Sequence, residues 1–247
     1  MSLYGVIAGI EGNREALSAV LEALDRRGVR QIVCLGDVVG LNADPEECVE
    51  IVRRRCTVAL AGPHDLVCVG RLDFDACSTE AEYSLRRTRR SLQVESKQWL
   101  LGLPAAHDLG NGVVLQALRE EVPGARLCFY GDGHEQKVYE VRGNAVHELA
   151  GERLALDKER TYFVGPGSVD ASRRRGRFAQ CALFDSLEWS IEFLRVPYDS
   201  AASEAKAAVF GYRINALTDQ LYTLRRRTAS AARRIGARLQ RGADSGR

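Results

Sequence analysis

The sequence of 247 residues predicts an α/β fold, and three observations support this class. Apolar residues make up 45% of the chain, which is enough to build a buried core. Residues 3–60 alternate short apolar runs with amphipathic segments. A half rich in short apolar runs comes later, punctuated by glycine and proline. The alternating start indicates a parallel sheet with right-handed crossover helices.

The N-terminal quarter predicts the element order strand, helix, strand, helix, strand. Leu17, Val20, Leu21 and Leu24 recur at the spacing of an amphipathic helix, which Gly28 ends. The apolar runs on either side have the length of buried strands. The predicted elements are strand 3–8, helix 13–27, strand 31–35, helix 45–55 and strand 57–60.

The rest of the chain predicts a long helix, a strand-rich half and a C-terminal helical region. Residues 75–101 and 199–227 have helical patterns. The predicted strands between them are 112–117, 126–130, 137–142, 161–164, 179–184 and 190–195. We therefore expect a main domain at residues 1–224, followed by a basic amphipathic helix and tail at residues 225–247.

Charge and cysteine content exclude several classes of protein. The net charge of +2 identifies no partner, and no apolar run is long enough to span a membrane. The N-terminus lacks the pattern of a secretory signal, so we expect a cytoplasmic protein. The seven cysteines are scattered without a C-x-x-C pair, which favours reduced core thiols over disulfides or a zinc site.

Six short motifs follow predicted strands, and their order along the chain is informative. They read Ala8-Gly9-Ile10-Glu11-Gly12-Asn13, Gly36-Asp37-Val38-Val39-Gly40, Gly62-Pro63-His64-Asp65, Ala117 after VVLQ, Gly131-Asp132-Gly133-His134 and Gly165-Pro166-Gly167-Ser168-Val169. From Leu3 to Tyr198 this order resembles the bacterial branch of the calcineurin-like phosphoesterases. That family's motifs read S-D-I-H-G-N, G-D-x-x-G, G-N-H-D, a histidine, G-H-T-H and N-P-G-S-V. Each motif alone is a weak signal, but the ordered set is specific.

The resemblance implies a four-layer α/β/β/α sandwich of the metallophosphoesterase type with two facing mixed sheets. In that family, carboxylates and imidazoles at the strand ends hold two metal ions. The ions clamp a phosphate group and activate a bridging water, which attacks phosphorus in line. Phosphoester hydrolysis is therefore the activity that the resemblance implies for an intact site.

The resemblance assigns four positions of this chain to metal binding. Asp37 matches the carboxylate that both ions share, and His134 matches a ligand of the first ion. Glu11 stands where the family has a histidine, and its carboxylate can still bind a hard cation. Asp132 replaces a histidine ligand of the second ion. His64 matches the family's catalytic histidine, and Asn13 and Arg173 lie in segments that contact substrate.

Three other ligand positions carry residues without a ligand atom in the side chain. Gly9 replaces an aspartate, Pro63 an asparagine and Ala117 a histidine. We therefore expect no two-metal centre. At most one divalent ion (Mn, Fe, Zn or Mg) is expected, at Glu11, Asp37 and His134, because three protein ligands plus water suffice for one catalytic metal.

Each assignment also has a purely structural interpretation. Asp37 is equally explained as an aspartate that caps the loop after a strand. His64 and His134 are also explained as loop histidines whose hydrogen bonds are satisfied locally. The arginines from Arg173 to Arg177 suit either phosphate binding or a solvated hairpin turn, and Arg86 to Arg90 are typical of a solvent-facing helix side.

The C-terminal segment combines an apolar seam with dense arginine. Apolar residues recur at spacings of three and four from Leu217 to Leu239, and seven arginines from Arg225 to Arg241 fill most of the other helix faces. A basic amphipathic helix of this kind docks on an acidic protein, nucleic acid or anionic lipid. The alternative is a helix packed on its own domain with a solvated basic side.

Two functional hypotheses follow from the sequence. The first is a non-catalytic binding or regulatory module that uses the former phosphate cleft for a phosphate-containing ligand, the basic helix, or both. The alternative is a metal-dependent phosphoesterase with a remodelled site of at most one metal. Metal content and activity on a generic phosphodiester discriminate between them.

Overall fold

Twelve strands form the framework of the computed structural model, which describes residues 3–170, 178–216, 218–220 and 222–223. In chain order they are β1 (Leu3–Ile7), β2 (Gln31–Cys34), β3 (Val58–Ala59), β4 (Ala106–Gly110), β5 (Val113–Gln116), β6 (Leu127–Tyr130), β7 (Gln136–Arg142), β8 (Ala145–Leu149), β9 (Arg153–Ala155), β10 (Thr161–Pro166), β11 (Phe178–Asp185) and β12 (Ser190–Pro197). They form two mixed sheets of six strands. The predicted α/β fold with two facing mixed sheets is confirmed.

Six α-helices connect and cover these strands. They are α1 (Arg14–Arg26), α2 (Pro45–Arg55), α3 (Pro63–Cys68), α4 (Thr79–Ser91), α5 (Val94–Leu101) and α6 (Ser200–Val209). Their starts are encoded locally. The side chains of Asn13 and Ser78 accept hydrogen bonds from backbone N–H groups in the first turns of α1 and α4, and Pro45 opens α2.

Strand order places the N-terminal loops at one edge of the first sheet. That sheet has the order β3-β2-β1-β11-β12-β9, and the second has the order β4-β5-β6-β10-β7-β8. Strands β1, β2 and β3 are parallel neighbours, so the loops that follow them leave from the same edge. Strands β5 and β6 are likewise parallel in the second sheet. Ligands of open α/β sheets characteristically bind outside such carboxyl ends.

The two faces of the first sheet contribute to separate cores. Val6 and Val33 belong to the core shared with the second sheet, which includes Phe129. Ile7 and Cys34, one residue further along each strand, belong to the core shared with the helices. Successive strand side chains point to opposite faces, so a strand buried on both faces has a continuous apolar sequence. This explains why the first strands were readily predicted.

Elements without an apolar run were not predicted. Strands β4 and β8 are largely exposed, and each mixes polar and apolar residues. The predicted helix 75–101 is instead two helices, because Leu92 between them has an extended backbone. The Glu46 carboxylate accepts hydrogen bonds from the Gln93 N–H and the Ser96 hydroxyl, which stabilises the start of α5. This contact comes from α2, so local sequence does not show it.

The C-terminal prediction is only partly tested. Helix α6 ends at Val209, and Gly211 follows with a left-handed φ of 71°. The backbone is helical again at 216 and 218–220. The basic helix at residues 225–247, its separation from the domain at residues 1–224 and Arg173 lie outside the described residues and remain predictions.

All seven cysteines are free thiols, and five of them are buried, as the sequence indicated. Burial raises the pKa of Cys56 to about 12, so its thiol stays protonated at neutral pH. Within the described ranges, no helix combines the length and apolar character needed to cross a bilayer.

A buried carboxylate connects three loops at the edge of the first sheet. The two oxygens of Asp170 accept hydrogen bonds from the side-chain amides of Asn13, at 2.7 Å, and Asn42, at 3.0 Å. Asn42 also donates to the Glu11 carbonyl, at 3.1 Å. Asp170 is 7% exposed, so these bonds have little competition from water. The loops after β1, β2 and β10 are thereby tied together.

We expect Asp170→Ala to lower the free energy of unfolding by about 2–4 kcal/mol, because two buried amides would lose an acceptor. Urea denaturation followed by circular dichroism measures this change. The matched control is Asp25→Ala, which breaks an exposed ion pair with Arg55 and should change stability by less than about 1 kcal/mol. Equal effects of the two substitutions would contradict the proposed role of Asp170.

Candidate functional site

Backbone hydrogen bonds hold the strand-end loops against one another. Glu11 N donates to Asp37 O at 2.8 Å, and Gly12 N donates to Val38 O at 3.0 Å. The loop after β10 joins them, because Asp170 N donates to Gly9 O at 2.9 Å. These bonds use main-chain atoms alone, and they add to the side-chain bonds that Asp170 makes between the same loops.

Three of the predicted metal ligands form one cluster. Each of Glu11, Asp37 and His134 offers a ligand atom, and these atoms all lie within 4.8 Å of one another. Two carboxylates and one imidazole supply the oxygen and nitrogen donors that divalent cations bind. Glu11 is 3% exposed and Asp37 is 7% exposed. The three side chains therefore fit a single divalent cation, because all three ligand atoms can reach the same point.

The same three residues have left-handed backbone conformations. Their φ angles are 58° for Glu11, 53° for Asp37 and 54° for His134. This conformation costs about 1–2 kcal/mol for a residue with a Cβ atom. Such strain persists only where surrounding structure imposes it, and it concentrates at functional sites. The loops thus impose an unfavourable backbone conformation on each residue of the cluster.

His64 lies beside the cluster and interacts with two of its members. Its Nδ1 atom lies 2.8 Å from each Glu11 carboxylate oxygen, and its backbone N–H donates to Asp37 Oδ1 at 2.8 Å. Burial lowers the pKa of His64, but the charge and hydrogen bond of Glu11 outweigh it and raise the pKa to about 10. The imidazole is then protonated at neutral pH and donates to Glu11.

Asp65 is a buried acid at this site that the sequence did not single out. Its two carboxylate oxygens accept hydrogen bonds from Gly62 N, at 2.9 Å, and Val39 N, at 3.0 Å. Burial and the nearby charge of Asp37 raise the pKa of Asp65 to about 7. Asp65 joins the loop after β3 to the loop after β2. Its place three residues after Gly62, at the start of a helix, was the available signal.

The space that a side chain at position 9 would need is already occupied. A Cβ atom on Gly9 would lie 2.6 Å from His134 Nδ1 and 2.7 Å from Ser168 Oγ. These separations are shorter than van der Waals contact, and Gly9 also has a left-handed φ of 59°. No free space for an aspartate side chain therefore exists at position 9, because His134 and Ser168 occupy it.

The other two positions without ligand atoms lie at a helix start and in a closely packed loop. Pro63 is the first residue of α3, where a missing N–H is tolerated. Ala117 follows β5, and its carbonyl would lie 3.1 Å from a Cβ atom on Gly131. The loops after β5 and β6 therefore approach closely, as the order of motifs predicted.

Two further predicted site residues have other partners. The Asp132 carboxylate accepts a hydrogen bond from Arg119 N at 2.9 Å, and Asp132 is not part of the three-residue cluster found among the described residues. Asn13 is fully buried, and its amide binds Asp170 and caps α1. Arg173 falls in 171–177, outside the described residues. The roles predicted for these residues in binding metal or substrate remain untested.

Comparisons with known proteins identify the family. Residues 3–188 match the calcineurin-like phosphoesterase superfamily domain. The chain is 30% identical over 218 residues to the uncharacterized protein MJ0912 of Methanocaldococcus jannaschii, covering 80% of this chain and 88% of that protein.

Solved structures share the fold over most of the chain. A metallophosphoesterase from Sphaerobacter thermophilus superposes with a TM-score of 0.72 and 28% identity, covering 90% of this chain and 98% of that one. The hypothetical protein PH1004 from Pyrococcus horikoshii superposes with a TM-score of 0.66 and 18% identity over the same shares. With the matched domain and the clustered strand-end loops, these likenesses establish that the chain belongs to the calcineurin-like phosphoesterase superfamily.

Proposed function

We propose that this chain is a non-catalytic member of its superfamily that binds a phosphate-containing ligand through at most one divalent cation. The observation that carries this proposal is the glycine at position 9, where the family has an aspartate. Gly9 offers no ligand atom, and His134 and Ser168 occupy the space where a side chain would lie. Pro63 and Ala117 also lack ligand atoms. A second ion would therefore lack most of the donors that two-metal hydrolysis requires.

The residues present suit the binding of one cation and an anion. Glu11, Asp37 and His134 would hold the ion, which would supply positive charge to a phosphate oxygen. The His64 imidazole lies next to the cluster, where it can donate a hydrogen bond to a second oxygen. The Glu11 carboxylate fixes the ring, because both of its oxygens lie 2.8 Å from Nδ1. The predicted acidic partner of the C-terminal basic helix is a separate part of this proposal.

The alternative function is a one-metal phosphoesterase, which the position of His64 favours. An imidazole beside a bound phosphate group can protonate a leaving oxygen, a contribution of typically 10²–10⁴ in rate. The same contact with Glu11 serves either function, so geometry alone does not separate them. Metal stoichiometry and turnover do.

The first expected result concerns metal content. Wild-type protein incubated with Mn²⁺ and desalted should retain one ion per chain at most, measured by elemental analysis. Asp37→Asn should abolish retention, because it removes a ligand charge from the centre of the cluster. Asp132→Asn is the matched control and should retain the ion, because the Asp132 carboxylate binds Arg119 N instead. Anomalous scattering from two ions about 4 Å apart would contradict a single-ion site.

A second expected result concerns position 9. Gly9→Asp should unfold at a lower temperature than Gly28→Asp in metal-free protein. Both substitutions incur the left-handed cost of about 1–2 kcal/mol. Only Gly9 is crowded, since a Cβ atom on Gly28, with φ of 72°, would meet nothing within 4 Å. Overpacking adds typically 1–3 kcal/mol. Indistinguishable melting curves would show that the His134 side chain moves aside at no cost. Position 9 could then still carry a metal-binding side chain.

The third expected result concerns turnover. Hydrolysis of an aryl phosphodiester by the wild-type protein should remain near background with or without Mn²⁺. Losing even one electrostatic donor costs about 10²–10³ in rate, and three ligand positions lack donors here. Hydrolysis should be restored when the family's ligand residues are put back together. The combined substitutions are Gly9→Asp, Glu11→His, Pro63→Asn, Ala117→His and Asp132→His. Turnover above about 1 s⁻¹ by the wild type, lost in His64→Gln, would establish the alternative enzyme.

A further inference from the structure

A second concave site lies away from the cluster, between α3, α4 and α5. Its cavity has a volume of about 480 Å³, within the range of small-molecule sites. Arg86, Arg89 and Arg90 line it from α4, and Lys97 lines it from α5. The three arginines share one face of α4 because their spacing is three and four residues. We call these four residues and the cavity they line the basic pocket.

Most of the positive charge in the basic pocket is not neutralised. Arg86 pairs with the buried Glu82, with 2.8 Å between Nη2 and Oε1. The side chains of Arg89, Arg90 and Lys97 make no hydrogen bond or ion pair with any part of the chain that the structure describes. Three cations thus line one cavity without a bound anion from the chain itself. Arg89 and Arg90 are exposed, so a ligand from solvent can reach them.

Helix α3 does not account for these cations. Its C-terminal end faces the pocket, and a helix C-terminus attracts positive charge. However, backbone donors satisfy two carbonyls near this end: Val69 N bonds to Asp65 O at 3.0 Å, and Gly70 N bonds to Val67 O at 3.1 Å. The Arg89 guanidinium only lies against Gly70, with Nη2 2.8 Å from the position of an added Cβ atom. Its donors therefore remain available to a ligand.

One wall of the basic pocket is apolar and orders a neighbouring cation. Phe74 and Val69 form this wall. The Arg86 guanidinium lies 4.3 Å from the centre of the Phe74 ring, a cation–π contact that joins its bond to Glu82 in restricting its orientation. Arg86 is therefore held in place before a ligand arrives, which lowers the entropic cost of its contribution to binding.

We propose that the basic pocket binds a small anion that contains two or more linked phosphate groups. Arginine suits phosphate because its planar fork donates paired hydrogen bonds and stays charged. Three uncompensated positive charges match a polyanion better than a single phosphate, and the cavity is larger than a single phosphate needs. The pocket requires no metal ion, and it is independent of the cluster at Glu11, Asp37 and His134.

The test uses inorganic pyrophosphate as the probe and isothermal titration calorimetry on the full chain, treated with a chelator to remove metal. Wild type should bind one pyrophosphate per chain, more tightly than inorganic phosphate, and more weakly as salt rises. The double substitution Arg89→Gln and Arg90→Gln should weaken binding at least tenfold. Lys97→Gln, on the neighbouring helix, should weaken it in the same direction without touching α4.

The matched control is Arg30→Gln with Arg54→Gln, which removes equal charge from exposed sites outside the pocket. The affinity of this control variant for pyrophosphate should stay within twofold of wild type. Thermal melts check that every variant is folded. The proposal is overturned if the pocket variants bind pyrophosphate as tightly as wild type. It is overturned equally if the control loses as much affinity, or if wild type does not bind at low salt.

Discussion

The strand-end loops are joined by backbone hydrogen bonds, and the rest of the site depends on this constraint. Loops after β1, β2 and β10 exchange main-chain bonds through Gly9, Glu11, Gly12 and Asp170. Because no side chain takes part in these bonds, a substitution of a ligand residue does not by itself remove them. Residues 9, 63 and 117 are Gly, Pro and Ala, which have no ligand atom in the side chain, and the loops that carry them still belong to the superfamily fold.

Two glycines leave the space that side chains of the site occupy. His134 and Ser168 fill the space beside Gly9, and the Glu11 carboxylate lies where a Cβ atom on Gly40 would be, 1.7 Å away. A residue larger than glycine at position 40 is thus incompatible with this position of Glu11. In this position the Glu11 carboxylate makes an ionic contact with His64.

Electrostatics explain why the site still favours a cation. Burial is the main cause that raises the pKa of Asp37, and the charge of Glu11 adds to it. Asp65 adds a third buried carboxyl group, whose pKa is raised to about 7. His64 offsets part of this negative charge. A divalent ion would offset more, because buried carboxylates close together are stabilised by any positive charge among them.

The apolar runs of the sequence by themselves determined the α/β class and the main buried strands. The ordered motifs determined that Asp37 and His134 lie close together, since parallel strands end at one edge of a sheet. Only the tertiary structure decided the details of the site. The left-handed backbones of the cluster, the crowding at Gly9 and the binding of Asp132 to Arg119 N arise from contacts between loops distant in sequence. The break before α5 and the concavity of the basic pocket have the same origin, because Glu46 and the packing of α3, α4 and α5 decide them. Local pattern reports burial and periodicity, whereas the partner of a polar side chain is chosen by the packing of the whole chain.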